Sequence, residues 1–151
     1  MSFIQVRLNF PAAESGDAEA LVALRIEAMR ESLERIGRFD PDRARQRFLD
    51  GFEPAQTQHI EADGERIGFF VLKLQSDGLL LDHLYMRPAR QGRGIGAAVL
   101  AHVFAMADAS GLAVRVGALR GSDSNRFYQR HGFELVEEGE FDIHYVRRAV
   151  V

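Results

Sequence analysis

Apolar and polar residues change their spacing several times along this chain, and each change marks a different element. From Phe3 to Phe10 they alternate, with Phe3, Gln5, Arg7 and Asn9 set against Ile4, Val6, Leu8 and Phe10, which predicts a strand. Val22, Ile26, Met29, Leu33 and Ile36 then recur at intervals of four and three, the spacing that holds one stripe on a helix face. Asp17 is placed to cap that helix and Gly37 to stop it. Asp40-Pro41 opens a second helix in cap-then-proline order, running toward Phe48, Leu49 and Gly51.

The period then shortens. His59 to Ala62, Arg66 to Leu74 and Leu79 to Met86 read as strands, separated by Asp63-Gly64 and Asp77-Gly78, dipeptides that suit tight hairpins. A Gly-rich loop, Gln91 to Gly96, leads into an apolar helix through Met106 that stops at Gly111. A strand follows from Leu112 to Leu119, then a small helix from about Ser124 to His131 closed by Gly132. Two strands, Phe133–Val136 and Phe141–Val146, end the chain. The order β-α-α-β-β-β-α-β-α-β-β predicts a mixed α/β sheet with helices on both faces.

The length of 151 residues fits one domain, residues 1–151, and 46% hydrophobic residues rule out wholesale disorder. No apolar run approaches the ~18–20 residues of a membrane helix, and no basic segment followed by an apolar stretch opens the chain, so a cytoplasmic domain is expected. The absence of cysteine excludes disulfides, thiol catalysis and Cys-based zinc sites. A net charge of −3 argues against a general nucleic-acid binder. The basic residues are almost all arginine, Lys73 being the single lysine. Arginines 25, 30, 35, 38, 43, 45 and 47 are interleaved with Glu27, Glu31, Glu34, Asp40, Asp42 and Asp50. That pattern reads either as a solvated mixed-sign surface or as an arginine-lined anion pocket.

Two stretches carry candidate chemistry. Gln91-Gly92-Arg93-Gly94-Ile95-Gly96 sits between a strand and a helix start, where glycines let backbone approach a ligand and unpaired N–H groups favour a phosphate. Arg93 is placed to add a charge-assisted contact; a plain tight turn explains the same residues. The Walker phosphate-loop pattern is absent. The dinucleotide fingerprint matches literally as Gly92-x-Gly94-x-x-Ala97, but the acidic residue it needs about 20 positions on is missing among Arg115–Arg120. The second stretch is Asn125 to Phe133, in which Tyr128 taken alone reads as a packing residue.

Together the two stretches resemble the GNAT N-acetyltransferase superfamily. Leu84-Tyr85-Met86-Arg87-Pro88 followed by Gln91 to Gly96 is similar to that family's acyl-CoA loop, [QR]-x-x-G-x-[GA] after a strand end. Phe127-Tyr128-x-x-x-Gly132-Phe133 is similar to its F-Y-x-x-x-G-F element. The resemblance implies a mostly antiparallel sheet of about seven strands. It also implies acetyl-CoA as donor and an amine of a small molecule or peptide as acceptor. It assigns the pyrophosphate to Gln91, Gly92, Arg93, Gly94, Ile95 and Gly96. The pantetheine arm goes to the main chain of Leu84 and Met86, with Gly117 leaving room for it. Where relatives carry an Asn further upstream, this chain has Ser122 and, beside the aromatic pair, Asn125, so that either residue is a candidate for the usual cofactor contact.

Direct attack of an amine on the thioester makes three demands. An alkyl ammonium, with a pKa near ~10, must lose its proton. By resemblance the Leu84 N–H serves the developing oxyanion, and Tyr128 protonates the departing thiolate. For the base, Asp82 shares a strand face with Leu80, Leu84 and Met86, while His83 points to the other face. Glu27 and Glu31 are further candidates, and an Asp82-His83 pair that only anchors the sheet explains the same residues. His59, His102, His131 and His144 fall in no metal-ligand spacing, so no metal is expected. A non-catalytic acyl-CoA-binding regulatory domain is the competing reading. A homodimer is a fold-level expectation only.

Overall fold

A computed structural model describes residues 6–150. The strands are β1 (Leu8–Asn9), β2 (Thr57–Ala62), β3 (Glu65–Gln75), β4 (Gly78–Met86), β5 (Val114–Leu119), β6 (Glu134–Glu138) and β7 (Asp142–Arg147). The helices are α1 (Ala18–Arg35), α2 (Pro41–Gly51), α3 (Ile95–Ala109) and α4 (Ser124–Arg130). The strands form one open, mostly antiparallel sheet of seven in the order β1-β2-β3-β4-β5-β7-β6. Its parallel pair is β4 with β5, Leu79, Leu80 and Leu81 lying opposite Val114, Arg115 and Val116. Element order and kind agree with the pattern in the sequence.

Two details differ. Of the first predicted strand, Phe3 to Gln5 lie outside the described residues, and the observed β1 is only Leu8–Asn9, opposite Ala62 and Glu61. Before it, the Arg7 N–H turns to the Asp63 carboxylate at 3.0 Å instead of a strand carbonyl. On α1 the burial lies in the first turns, at Leu21, Val22 and Leu24, whereas Ile36 is 41% exposed. Leu21, Val22 and Leu24, with Ile26 of the predicted stripe partly buried beside them, pack into the cluster of Ala13, Phe48, Phe69 and Val71.

The helix ends follow local rules closely. Asp40 accepts a bond from the Arg43 N–H at 3.2 Å, capping α2 as its proline predicts. Three helices stop in the same way, at a left-handed glycine. Gly37 and Arg38 donate back to Glu34 and Leu33, Gly111 and Leu112 to Asp108 and Ala107, and Gly132 and Phe133 to Gln129 and Tyr128. This paired pattern satisfies carbonyls that a helix end leaves open, and φ of 71°, 67° and 89° suits glycine at each C′ position.

Contacts gather into two compact units, Met1–Val71 with His83–Arg90, and Leu72–Asp82 with Gln91–Val151. The first packs α1 and α2 against Phe69, Val71 and Tyr85. Within it Gly68 has a strict steric role, because a Cβ there would lie 2.3 Å from the Tyr85 carbonyl oxygen and 2.9 Å from Met86 Cγ. The end of β4 rides directly over β3 backbone at that point. In the second unit Val99, Leu100, Val103 and Ala107 of α3 and Val114, Val116 and Ala118 of β5 are buried. Arg147 of β7 joins Asp108 of α3 at 2.8 Å and covers the Phe104 ring. Among the described residues no helix is long and apolar enough to cross a membrane.

Asp17 does more than start α1. Its carboxylate accepts from the Glu14 N–H at 2.8 Å, from buried His59 Nε2 at 2.9 Å and from Arg66 at 3.2 Å. An ionised carboxylate only accepts, so His59 carries its proton on Nε2. The Glu14 backbone bond first, and then the His59 bond, lower the Asp17 pKa to about 2. Because the folded value is depressed, the contribution to stability is complete above the ordinary carboxylate range and is lost as pH falls toward 2. Asp17→Asn is expected to destabilise the fold by about 1–3 kcal/mol at pH 7. It should also flatten the acid limb of a melting-temperature profile below pH 4. Gly68→Ala is expected to cost about 1–3 kcal/mol, read as a lower midpoint in urea, since backbone cannot swing aside as a flexible side chain can.

Candidate functional site

The Gly-rich loop follows a short 3₁₀ turn, Pro88–Arg90, and runs into α3. Gly92 and Gly94 both take left-handed backbone, with φ of 75° and 78°, and Gly94 is the N-cap of α3. No atom lies within 4 Å of where a Cβ would stand on either residue. Backbone conformation, not crowding, therefore requires glycine here, and the outer side of the loop stays open. The first intrahelical bond runs from the Ala98 N–H to the Gly94 carbonyl at 3.2 Å. The N–H groups of Ile95, Gly96 and Ala97 precede it and have no carbonyl one turn back. The predicted run divides: Gln91, Gly92, Arg93 and Gly94 are exposed, whereas Ile95 and Gly96 are buried and anchor the start of the helix. An open backbone turn thus meets the positive end of a helix of 15 residues.

Tyr128 belongs to the same unit as the loop. It is 6% exposed and its ring meets Phe133 edge-on at 5.3 Å and Tyr145 at 6.4 Å. The Tyr128–Phe133 contact is the apolar clasp that accompanies the helix stop at Gly132, so the spacing of the F-Y-x-x-x-G-F element has a local mechanical reason. Asn125 is engaged on both ends of its amide. Nδ2 donates to the Leu119 and Ser122 carbonyls at 2.9 and 3.0 Å, and Oδ1 accepts from the Tyr145 hydroxyl at 2.7 Å. One Oδ1 lone pair is what remains for any further partner. Burial first, and the Glu138 charge second, raise the pKa of Tyr145, keeping its proton on this bond. An open depression of about 340 Å³ surrounds the pair, with Ser122, Arg126 and Leu135 on its walls. On β5, Gly117 lies opposite His144, whose Nδ1 would be 3.4 Å from a Cβ at that glycine.

Asp82, the candidate base, ends the β4 segment of this unit and pairs with Lys73 at 3.0 Å, both side chains about one-third exposed (34% and 30%). The sequence carried a signal for this pair that its reading did not single out: a hairpin turning at Asp77-Gly78 sets Lys73 across from Asp82.

The remainder of β4 lies in the first unit. Leu84 and Met86 are half-buried there. His83 donates or accepts at Nδ1 with the Tyr85 hydroxyl at 3.2 Å, and its ring packs 5.6 Å from Phe48. It therefore belongs to an aromatic group with Phe69 and Tyr85. Of the helical glutamates, Glu27 meets Arg87 at 3.3 Å and Glu31 meets Arg35 at 3.5 Å. Tyr145 and Arg25 carry contacts that the sequence reading did not single out. Only the alternation of Ile143 with Tyr145 in the last strand hinted at the first. Among the described residues no group of three or more His, Asp or Glu is placed to hold a metal ion.

Several solved structures share this architecture. PaiA N-acetyltransferase from Thermoplasma acidophilum, in complex with coenzyme A, superposes with a TM-score of 0.77 at 17% identity, covering 96% of this chain and 99% of that one. A GCN5-related N-acetyltransferase from Rhodopseudomonas palustris gives 0.74 at 19% identity over 98% of each chain. An acetyltransferase from Thermus thermophilus gives 0.70 at 20% identity over 93% of this chain and 96% of that one. No curated protein matches the sequence significantly. At these identities the superpositions speak for the fold. The sequence profile of the GNAT acetyltransferase domain matches residues 55–135, just over half the chain, spanning β2 to β6 with the glycine loop and α4 inside it. With that match over the elements that carry the loop and the Tyr128 clasp, the chain belongs to the GNAT acetyltransferase family.

Proposed function

We propose that residues 1–151 act as one catalytic domain, moving an acetyl group from acetyl-CoA to an amine of a small molecule or peptide. The observation that carries this reading is the loop–helix junction, where two left-handed glycines turn open backbone toward the N-terminus of α3 in a GNAT family member. The main chain of Gln91 to Gly96 holds the pyrophosphate, with Arg93 adding a charge-assisted contact. The main chain of Leu84 and Met86 holds the pantetheine arm. Asn125 contributes through its remaining acceptor, and by fixing the Leu119 and Ser122 carbonyls. The protein works in the cytoplasm, without metal, nucleic acid or membrane, and a homodimer is the assembly to test.

Asp82 takes the proton of the acceptor ammonium, directly or through a water. The amine nitrogen then attacks the thioester carbonyl carbon, and the C–N bond forms as the carbonyl oxygen becomes an oxyanion. The Leu84 N–H stabilises that charge. The C–S bond breaks as the oxyanion collapses, and Tyr128 gives its phenolic proton to the thiolate of CoA. The attacking nitrogen, positively charged after the C–N bond forms, releases its second proton to solvent. From solvent the tyrosinate is reprotonated, while Asp82 sheds the first proton.

One observation favours the competing reading of a non-catalytic acyl-CoA-binding domain: Tyr128 is 6% exposed and has a packing reason to be there. Two measurements decide between them. CoA at ~100 times its Kd is expected to stabilise the protein by about 2.7 kcal/mol. Gly94→Ala, with about 1–2 kcal/mol of left-handed strain, is expected to reduce that shift. A wild-type melting temperature indifferent to CoA would remove the loop from the site. Tyr128→Phe is expected to lower kcat by about 100-fold with the KM for acetyl-CoA little changed. Equal kcat in mutant and wild type overturns the role of Tyr128, and no turnover by either with any amine supports the binding domain.

A further inference from the structure

Arg25 differs from the other arginines of α1 and α2. Arg30, Arg35 and Arg45 each meet a carboxylate, of Glu34, Glu31 and Glu19 respectively. Among the described residues Arg43 and Arg47 meet none but are exposed to water, whereas Arg25 meets none and is not. It is half-buried, and its Nε is buried without a hydrogen-bond partner. Its Nη1 reaches the Ala44 carbonyl at 3.5 Å, the outer limit of a hydrogen bond. Its guanidinium carbon lies 5.8 Å from the centre of the Tyr85 ring, near the limit for cation–π attraction.

A guanidinium stays charged in a protein, and removing it from water is costly unless an anion or several good acceptors replace the hydration. One long carbonyl bond and one distant ring do not. Glu27, two residues along α1, points to another part of the helix surface and is engaged by Arg87 at 3.3 Å. The Tyr85 ring that Arg25 faces belongs to an aromatic group with Phe48, Phe69 and His83. In such a low-dielectric setting an arginine–carboxylate pair is stronger than at an open surface.

We propose that Arg25 is the specificity-determining residue of the acceptor site, and that the amine this protein acetylates also carries a carboxylate. The inference rests on the N-acetyltransferase reading above, because Tyr85, the ring beneath Arg25, directly follows Leu84, the oxyanion donor of that reading. The planar fork of one guanidinium matches the two oxygens of one carboxylate. A phosphate dianion would call for a second cation, and Arg87 is already engaged by Glu27. The carboxylate belongs either to a free amino acid or to the C-terminus of a short peptide.

The test compares amines that differ only at that group, in thiol release from acetyl-CoA by the intact protein. Amino acids with aliphatic, aromatic, acidic and basic side chains are paired with their carboxamides, and short peptides with their C-terminal amides. The wild type is expected to favour the carboxylate form in kcat/KM by about 10–100-fold, and the free or the peptide series identifies the source. Arg25→Met, which removes an uncompensated charge and keeps apolar volume, is expected to abolish the preference while its melting temperature holds or rises. Its stabilisation by CoA should persist. Arg25→Lys should restore part of the preference, and Arg30→Gln, altering an exposed pair, should leave it intact.

Binding of the same compounds to the CoA-loaded protein, measured by calorimetry, needs no turnover. Arg25-dependent binding of carboxylates without turnover would support the anion site and overturn the catalytic reading alone. Equal handling of carboxylate and amide by the wild type, an undiminished preference in Arg25→Met, or no binding of any compound would each overturn the inference.

Discussion

The close passage of β4 over Gly68 is the constraint on which the β3–β4 packing of the first unit depends. A strand whose backbone lies within 2.3 Å of a neighbour's would-be Cβ can run there only if that neighbour has none. The Tyr85 carbonyl at the point of contact lies in the same peptide plane as the Met86 N–H, so the contact places both. Leu84 on one side and Met86 on the other are the residues whose main chain the proposed reaction uses. One missing methyl group in β3 thus sets where the Tyr85 carbonyl and the Met86 N–H of β4 stand. The Arg87 N–H, bonded to the Ile67 carbonyl at 2.8 Å, holds the next step of the same register.

Charge is compensated unevenly over the molecule, and the uneven places are informative. Several arginines of this arginine-rich chain, Arg30, Arg45, Arg90 and Arg115 among them, are matched to carboxylates at the surface, where such pairs contribute little stability individually. Asp17 is compensated three times over, by a backbone N–H, a buried imidazole and an arginine. Arg25 lies at the other extreme, partly dehydrated and without a carboxylate. A protein under selection for stability alone gains from replacing such a group by an apolar one of similar volume. The proposed substrate carboxylate would supply the anion that its position beside Tyr85 lacks.

In the second unit the residues of the proposed chemistry also serve structure. Tyr128 and Phe133 close α4 across Gly132, and Asn125 ties the end of β5 to Tyr145 of β7. A phenol seated in this way is held in one orientation, which an acid needs and a packing residue also shows. The two roles are compatible because the clasp uses the ring, whereas proton transfer uses the hydroxyl.

What the sequence determined by itself is what short-range physics controls. Periodicity identified the order and kind of the elements from α1 onward, the Asp40-Pro41 start of α2, and the glycine stops at Gly37, Gly111 and Gly132. Each depends on the backbone angles and side-chain spacing of a few consecutive residues. The glycine loop was legible for the same reason, since left-handed turns leave a compositional mark. Tertiary structure decided which side chains meet. His59 finds Asp17 across 42 positions, and Tyr145 finds Asn125 across 20. It also decided that burial on α1 falls at Leu21 and Leu24 as well as Val22, and that Arg25 is left without a carboxylate. Such pairings turn on ångström-scale register between distant strands and helices, which no local pattern of residues encodes.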